Sequence, residues 1–538
     1  MALSCAALLL HPFRPCPMRR FADLPAPTIA AGLALIHLVL AVFALQPAPY
    51  VGGDNGAYVA LAQSLAERGA YLELWDPALR PHTQYPPFIP HLLVAAMKLG
   101  VSTWIGFKLV TVACSGAAVA ASYLWMRRAS TPGIALAAGG LLAVLPGPLV
   151  LAHEVLSDVP FWALALLALW AVLPCEEPGG RARLGWALAA AALAAAAYMT
   201  RSAGLPLVVA LAASFALRRR GRELAVLAAV VGPPAVLWWM RGRALGAAGY
   251  TSHLRYIDPY QPSMGTLDAA GWLGRIAQNL ANYFGEHIPV VLGGMGPLQT
   301  LAGGALVVLA LAGWVRRLGR AGAAELFLPM YAGLLLIWPA IWSGERFLLP
   351  MLPLLLVYAA ETVRDGAAVL RMPRWAAVAP AAALALVVLP GTAERVRDGR
   401  GCTGAYLDGD PLPCLTPVWH DLLAVPMKMR GRLPPGSVVL SRKPMLFYVQ
   451  SGYQSRVYPA SADPAEFFRA AREAGAEWVL IDRMPDLAPI FLHPVVRARR
   501  GDFCIVTNFA LPNAVLARID PAGAGSANPA RLRNCPIY

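Results

Sequence analysis

The chain has 538 residues, 58% of them hydrophobic and only 14% charged, with a formal net charge of +15 and a mean hydropathy of +0.54. Soluble domains carry about 25% charged residues and soluble cores stop growing near roughly 250–300 residues, so this composition excludes a single water-soluble globule. Nor does the positive charge point to nucleic acid, because the arginines sit in short clusters between apolar runs and not along one face.

Residues 1–26 come first. The run Ala2–Leu10 is short and has no basic residue before it, so it does not read as a cleavable signal peptide, and the segment is expected to be a cytoplasmic leader. Apolar stretches then follow at 27–47, 104–126, 133–151, 159–173, 185–199, 204–217, 224–240, 298–315, 324–341, 347–363 and 375–390. A span needs about 20 apolar residues, which predicts a polytopic α-helical membrane protein with about eleven transmembrane helices over 27–390. Placing the N-terminus in the cytoplasm puts loops 127–132, 174–184, 218–223, 316–323 and 364–374 on the same side. Together with residues 1–26 these hold 17 Arg in 68 residues, including Arg127-Arg128 and Arg218-Arg219-Arg220, while the outer loops, leaving aside the C-terminal domain, hold about 9 Lys plus Arg in about 130 residues.

Three outer regions interrupt the spans. Loop 48–103 should bear two juxtamembrane helices: an amphipathic one around 57–65 that stops at Gly69, and one at 88–99 behind Pro86-Pro87 that lies at the interface. The region 241–297 is polar and aromatic, and loops of that length are usually functional or disordered. Residues 391–538 read as a small α/β domain outside the membrane. Strands are expected at Val438–Ser441, Trp478–Asp482 and Phe503–Thr507, with a helix over 464–474 capped by Asp463 and led by Pro464. Trp238-Trp239 and Trp338 fit the aromatic belts of the membrane interface. Cys402, Cys414, Cys504 and Cys535 fall in this outer domain. In an oxidising compartment they would form two disulfides, with neighbour pairing Cys402–Cys414 and Cys504–Cys535 as one of three possibilities.

Four motifs could carry chemistry. Gly52-Gly53-Asp54-Asn55-Gly56-Ala57-Tyr58 follows the first span, and Asp54 there could simply cap the next helix, a contribution of about 1 kcal/mol. His153-Glu154-Val155-Leu156-Ser157-Asp158-Val159-Pro160 precedes the fourth span, where Ser157 could likewise be a cap. Thr200-Arg201-Ser202 and Ser343-Gly344-Glu345-Arg346-Phe347 each place an arginine between short apolar runs. Under the N-in topology Asp54, Tyr85, Asp158, Arg201 and Arg346 all emerge at the outer face, and ionisable groups at a bilayer boundary mark a substrate path. Arginine clamps phosphate by paired hydrogen bonds, and a carboxylate accepts the proton of an attacking hydroxyl. Glu154 is a second carboxylate beside this set. His82, His153 and His287 read as interfacial polar residues. The chain holds no P-loop, G-x-S-x-G or H-E-x-x-H motif, so nucleotide hydrolysis and zinc or serine hydrolase chemistry lack support.

The order of these features resembles the GT-C glycosyltransferases of the bacterial protein-mannosyltransferase and aminoarabinose-transferase superfamily. The matching segments are Gly53-Asp54-Asn55-Gly56-Ala57-Tyr58, Gln84-Tyr85-Pro86-Pro87-Phe88, Leu156-Ser157-Asp158-Val159-Pro160-Phe161, Thr200-Arg201-Ser202-Ala203-Gly204-Leu205 and Glu345-Arg346-Phe347-Leu348-Leu349-Pro350, over about residues 30–365. The resemblance implies inverting transfer of a sugar from a polyprenyl-phosphate donor to an extracytoplasmic acceptor at the bacterial inner membrane. It casts Asp54 as general base and has Asp158 positioning donor or acceptor. Arg201 and Arg346 would hold the departing polyprenyl phosphate, while Tyr58 and Tyr85 shape the pocket. It implies no required cofactor. Two departures stand out. Several relatives have paired acidic residues in the first motif, whereas Asn55 follows Asp54 here, which weakens a metal-binding reading. Aminoarabinose transferases have a lysine where this chain has Tyr85, so an aminoarabinose donor is not assumed. The competing expectation is a transporter or flippase of lipid-linked sugars, although no repeat of the halves is visible.

Overall fold

The fold is that of a computed structural model, which describes residues 24–177, 183–246, 253–373, 378–485, 487–507, 509 and 511–520. Most of the expected leader, and Cys535, lie outside these residues.

The membrane module opens with α1 (Ala26–Phe43), then α2 (Asp54–Arg68) and α3 (Phe88–Lys98) of the first outer loop, then α4 (Trp104–Ala129), α5 (Pro132–Val144) and α6 (Pro146–Ala152). It continues through α7 (Asp158–Glu176), α8 (Arg183–Thr200), α9 (Leu205–Leu217), α10 (Gly221–Ala244), α11 (Ala269–Asn282) and α12 (Ile288–Val291). The last members are α13 (Pro297–Arg317), α14 (Ala323–Ile337), α15 (Leu352–Val369) and α16 (Ala379–Leu407). Helix α7 packs against α4 and α8 at the centre of the bundle. Its most apolar window is 72% buried, whereas that of α10 is 17% buried. Exposed Val236, Leu237 and Trp239 on α10, like Leu35 and Val39 on α1, are apolar residues facing outward, which only lipid rewards.

By length and apolarity the described residues hold six membrane-crossing helices, or seven if a bent pair counts as one. The expectation was about eleven. The stretch 133–151 is that bent pair: α5 and α6 meet at 54°, because Pro146 and Pro148 cannot continue the hydrogen-bond ladder of α5. The stretches 204–217 and 324–341 form helices of only 13 and 15 residues, about 20 and 22 Å long against a hydrocarbon core of about 30 Å. Their missing turns are irregular backbone, at Arg201–Gly204 and Trp338–Leu348, and that backbone lines the cavity described below.

The Arg-rich loops assigned to one side do meet at one end of the bundle. Arg317 donates to both oxygens of Glu361, to Glu325 and to the Ala129 carbonyl. Arg218 reaches the carbonyls of Arg320 and Ala321, and Glu176 accepts the Ala323 N–H. The C-terminal domain sits at the opposite end.

That domain was expected from residue 391, but α16 runs unbroken to Leu407, so one helix joins membrane to domain. A Cys402–Cys414 disulfide ties the end of α16 to the start of the domain. Cys504 is also disulfide-bonded. After α17 (Pro417–Met429) come β1 (Val438–Leu440), α18 (Pro444–Ser451), β2 (Gln454–Arg456), α19 (Pro464–Ala474), β3 (Trp478–Asp482), α20 (His493–Ala498), β4 (Phe503–Ile505) and β5 (Ala514–Ile519). The sheet order is β2-β1-β3-β5-β4, parallel around β1 and antiparallel around β5. Both faces are covered. Val439, Trp478 and Leu480 pack with Leu422, Val425 and Phe447 on one side, while Val438, Leu440 and Val479 pack with Phe467, Phe468 and Val495 on the other. This is the two-residue alternation of a pleated strand. Asp463 accepts the Ala465 N–H as expected of an N-cap. Short β2 and the C-terminal β5 escaped the sequence reading.

Candidate active site

Helix α2 begins where Gly53 adopts a left-handed φ of 104°, a conformation that favours glycine. Asp54 is therefore the first residue of the helix, and its side chain makes no capping bond. The capping expectation for Asp54 fails for that reason, and the carboxylate is turned elsewhere. Its Oδ1 accepts from the Tyr85 hydroxyl at 3.0 Å and its Oδ2 from Arg346 at 3.2 Å. Ser157 precedes α7 but likewise makes no capping bond. Its hydroxyl accepts from Tyr58 at 3.0 Å and Arg201 at 3.2 Å.

The two arginines arrive on breaks in the bundle. Helix α8 stops at Thr200, Arg201 is extended, and a short 3-10 turn over Ser202–Gly204 leads into α9. Gly204 is required here, since a Cβ would stand 2.8 Å from the Tyr198 Cα. Arg346 lies in a 3-10 turn over Glu345–Leu348, preceded by extended Gly344. Both guanidinium carbons lie 4.9 Å from the centre of the Phe347 ring, a cation–π arrangement that holds two like charges together. Asp158 stands behind them, paired with Arg201 and 4.0 Å from Arg346.

These groups surround one cavity of about 550 Å³. Asp54, Tyr58, Tyr85, Arg201 and Arg346 line it, with Tyr50 and Tyr331 beside them. Two of the expected residues do not. The Asp158 side chain is only 4% exposed and reaches the cavity through the arginines it holds, whereas that of Asp54 is 31% exposed. Glu154 is buried in the loop before α7, with His153 3.9 Å away, and burial pushes its carboxyl above the usual range. Burial also pushes the Tyr50 phenol up to about 12, with Arg346 opposing that shift and Glu154, Asp54 and Asp158 adding to it. Among the described residues no group of three or more His, Cys, Asp or Glu could hold a metal ion.

Two of the histidines contact neighbouring residues at the site. His82 stacks on Tyr85 at 5.1 Å and accepts its backbone N–H, which fixes the ring whose hydroxyl meets Asp54. His287 pairs with Ser343 at 3.0 Å.

The lining also contains Arg442, Lys443 and Met445 from the C-terminal domain and Trp338 and Trp342 from the break after α14. Sequence reasoning missed Arg442 and Lys443. The one available signal was a basic pair between a strand and a proline-led helix. The domain docks where α18 lies on α2, Arg456 pairs with Asp76, and the Lys443 Nζ donates to the Gly52 carbonyl at 2.8 Å.

Residues 84–239 match the family model of the dolichyl-phosphate-mannose-protein mannosyltransferases. No curated protein sequence matches the chain. Among solved structures, the Archaeoglobus fulgidus oligosaccharyltransferase in complex with Zn and sulfate is similar, at 14% identity and a TM-score of 0.56, over 88% of this chain and 71% of its own. ArnT from Cupriavidus metallidurans bound to undecaprenyl phosphate is similar at 17% identity and a TM-score of 0.55, over 90% of this chain and 97% of its own. At these identities the likeness is one of fold, and the fold is the GT-C glycosyltransferase fold that the motif order resembles.

Proposed function

We propose that this chain, a glycosyltransferase of the GT-C type by family match and fold, moves a sugar from a polyprenyl-phosphate donor to a hydroxyl of an extracytoplasmic acceptor, with inversion. The observation that carries this reading is a partly exposed carboxylate, Asp54, the one carboxylate among the described residues lining the cavity, held against Arg346 where the membrane helices break. The structure of ArnT was solved with undecaprenyl phosphate, and a lipid-linked donor of that class suits a cavity walled by Leu334, Leu335, Trp338 and Trp342 on one side and by charged groups on the other.

The Asp54 carboxylate takes the proton of the acceptor hydroxyl as its oxygen bonds to the anomeric carbon. The bond from that carbon to the phosphate oxygen breaks on the opposite face, and its electron pair leaves with the polyprenyl phosphate. Arg201 and Arg346 lower the cost of that developing charge, because fixed donors in a water-poor site need no reorganisation. Tyr85 orients Asp54, and Asp158 is a positioning residue that holds both arginines. The cavity-bearing end faces the outside of a bacterial inner membrane, with the N-terminus and the Arg-rich end in the cytoplasm.

Asp54→Asn removes the base and keeps the shape. Transfer from a polyprenyl-phosphate sugar, measured with the purified protein in vesicles, should fall about 10²–10⁴-fold while the protein still inserts. Full activity in that variant excludes Asp54 as the base.

A further inference from the structure

We propose that a second cavity, between the first outer loop and the C-terminal domain, is an acceptor subsite, where Arg80 and Arg456 bind an anionic sugar of an acceptor glycan. This rests on the polyprenyl-phosphate glycosyltransferase reading above.

Beside the catalytic cavity lies a smaller one of about 280 Å³. Trp75, Asp76 and Arg80 reach it from the turn between α2 and α3, and Ser455 and Arg456 from β2. Pro444 and Val457 line both cavities, so the two adjoin. A lipid chain suits the other wall of the catalytic cavity, at Leu334, Leu335, Trp338 and Trp342. The second cavity, walled by the outer loop and the soluble domain, is left to a water-soluble part of the acceptor.

Both arginines converge on buried Asp76. Arg456 donates to its Oδ1 at 3.1 Å and to its Oδ2 at 3.2 Å, and the Arg80 Nε lies 3.5 Å from Oδ2. Glu73, the other acid of that turn, faces His82 instead. Two guanidinium groups against one carboxylate leave a positive wall. Docking of the domain needs only Arg456, which already takes both oxygens of Asp76. The Arg80 side chain is 57% exposed, and an exposed ion pair stabilises by at most about 1 kcal/mol, so stability does not account for it. The turn is also strained just before it, because Leu79 has a left-handed φ of 47°, and such strain concentrates where ligands are held. Asp158 holds Arg201 and Arg346 in the catalytic cavity by the same device. Arginine's planar fork matches a carboxylate or phosphate, while Trp75 and Val457 offer apolar faces for the ring that carries it. That combination selects a uronate or a phosphorylated sugar over a neutral one.

The test is binding of glucuronate and of mannose 6-phosphate to the full chain in detergent, followed by saturation-transfer NMR, with glucose and mannose as uncharged references. Undecaprenyl phosphate is added first to fill the catalytic cavity. At least one anionic sugar should bind about tenfold more tightly than its neutral counterpart; which of the two does so separates a uronate acceptor from a phosphorylated one. Arg80→Gln should lose that preference with an unchanged melting temperature, and Arg80→Lys should keep part of it. Arg80 is the variant of choice because Arg456→Gln also loosens the domain. Equal binding of charged and neutral sugars by the wild type overturns the inference, and so does a preference that survives in Arg80→Gln. Both leave the glycosyltransferase reading intact. If undecaprenyl phosphate itself does not bind, the donor reading fails, and this inference fails with it.

Discussion

At the residue scale the site depends on which atoms each side chain has left to offer. Tyr85 is set by His82, whose Nε2 accepts the Tyr85 N–H at 2.9 Å while its Nδ1 faces Glu73 at 2.9 Å. Only a neutral imidazole can do this, because a protonated Nε2 would present a hydrogen to an N–H group. Burial lowers the His82 pKa below its ordinary value, with Glu73 opposing. As pH falls, the unfolded chain therefore takes up this proton before the folded chain does. The stability from His82 should be fully present above about pH 6.5 and lost as pH drops toward the lower folded value. Comparing melting temperatures of wild type and His82→Gln in detergent at about pH 7.5 and about pH 5.5 measures this. The gap between them should narrow in acid, and a gap that stays constant rules the linkage out.

At the element scale the working parts are helices that stop early. Helices α9 and α14 are too short for a full crossing, and Arg201, Trp338 and Trp342 stand in the gaps beside them. The soluble domain is brought to them by the contact of α2 with α18. A Cβ at Gly56 would sit 3.0 Å from the main-chain Leu446 N and Met445 C, and neither atom can swing away as a side chain could. Gly56→Ala should displace α18 at a cost of roughly 1–3 kcal/mol. It should lower transfer activity and raise hydrogen exchange over 441–451, with exchange in α7 unchanged. If activity and exchange both match wild type, the close approach of the two helices is not what positions Arg442 and Lys443.

At the scale of the whole molecule the two ends of the bundle are built differently. The cavity end has breaks and an open carboxylate. The far end is locked by buried Arg317, which joins α13, α14, α15 and the end of α4 through Glu361, Glu325 and the Ala129 carbonyl. Arg317→Leu would leave two carboxylates facing each other with little water, and breaking such a pair costs about 3–5 kcal/mol. The variant should unfold at markedly lower temperature in detergent yet keep wild-type turnover per folded molecule. A lowered turnover with an unchanged melting temperature would instead connect that end to the reaction.

Much of this architecture was legible in the chain itself. Lipid solvation demands long apolar runs and places basic loops together, so solvent class, the grouping of loops by side, and the gathering of Asp54, Tyr85, Arg201 and Arg346 at one face follow from pattern alone. The helix over 464–474 and the strands at 438 and 478 followed from capping and alternation. Hydropathy does not register where a helix bends or ends within an apolar stretch, so the bent pair at Pro146 and the short α9 and α14 emerged only in three dimensions. Capping rules assigned Asp54 and Ser157 a local partner, but Tyr85 and Arg346 are far away in sequence and win those oxygens through tertiary contact. The separation of Asp54 from Asp158, one open and one buried behind arginines, was decided by packing. So was the presence of Arg442 and Lys443 in the cavity, because only the docking of α18 on α2 brings a turn nearly 400 residues away to the residue that begins the site.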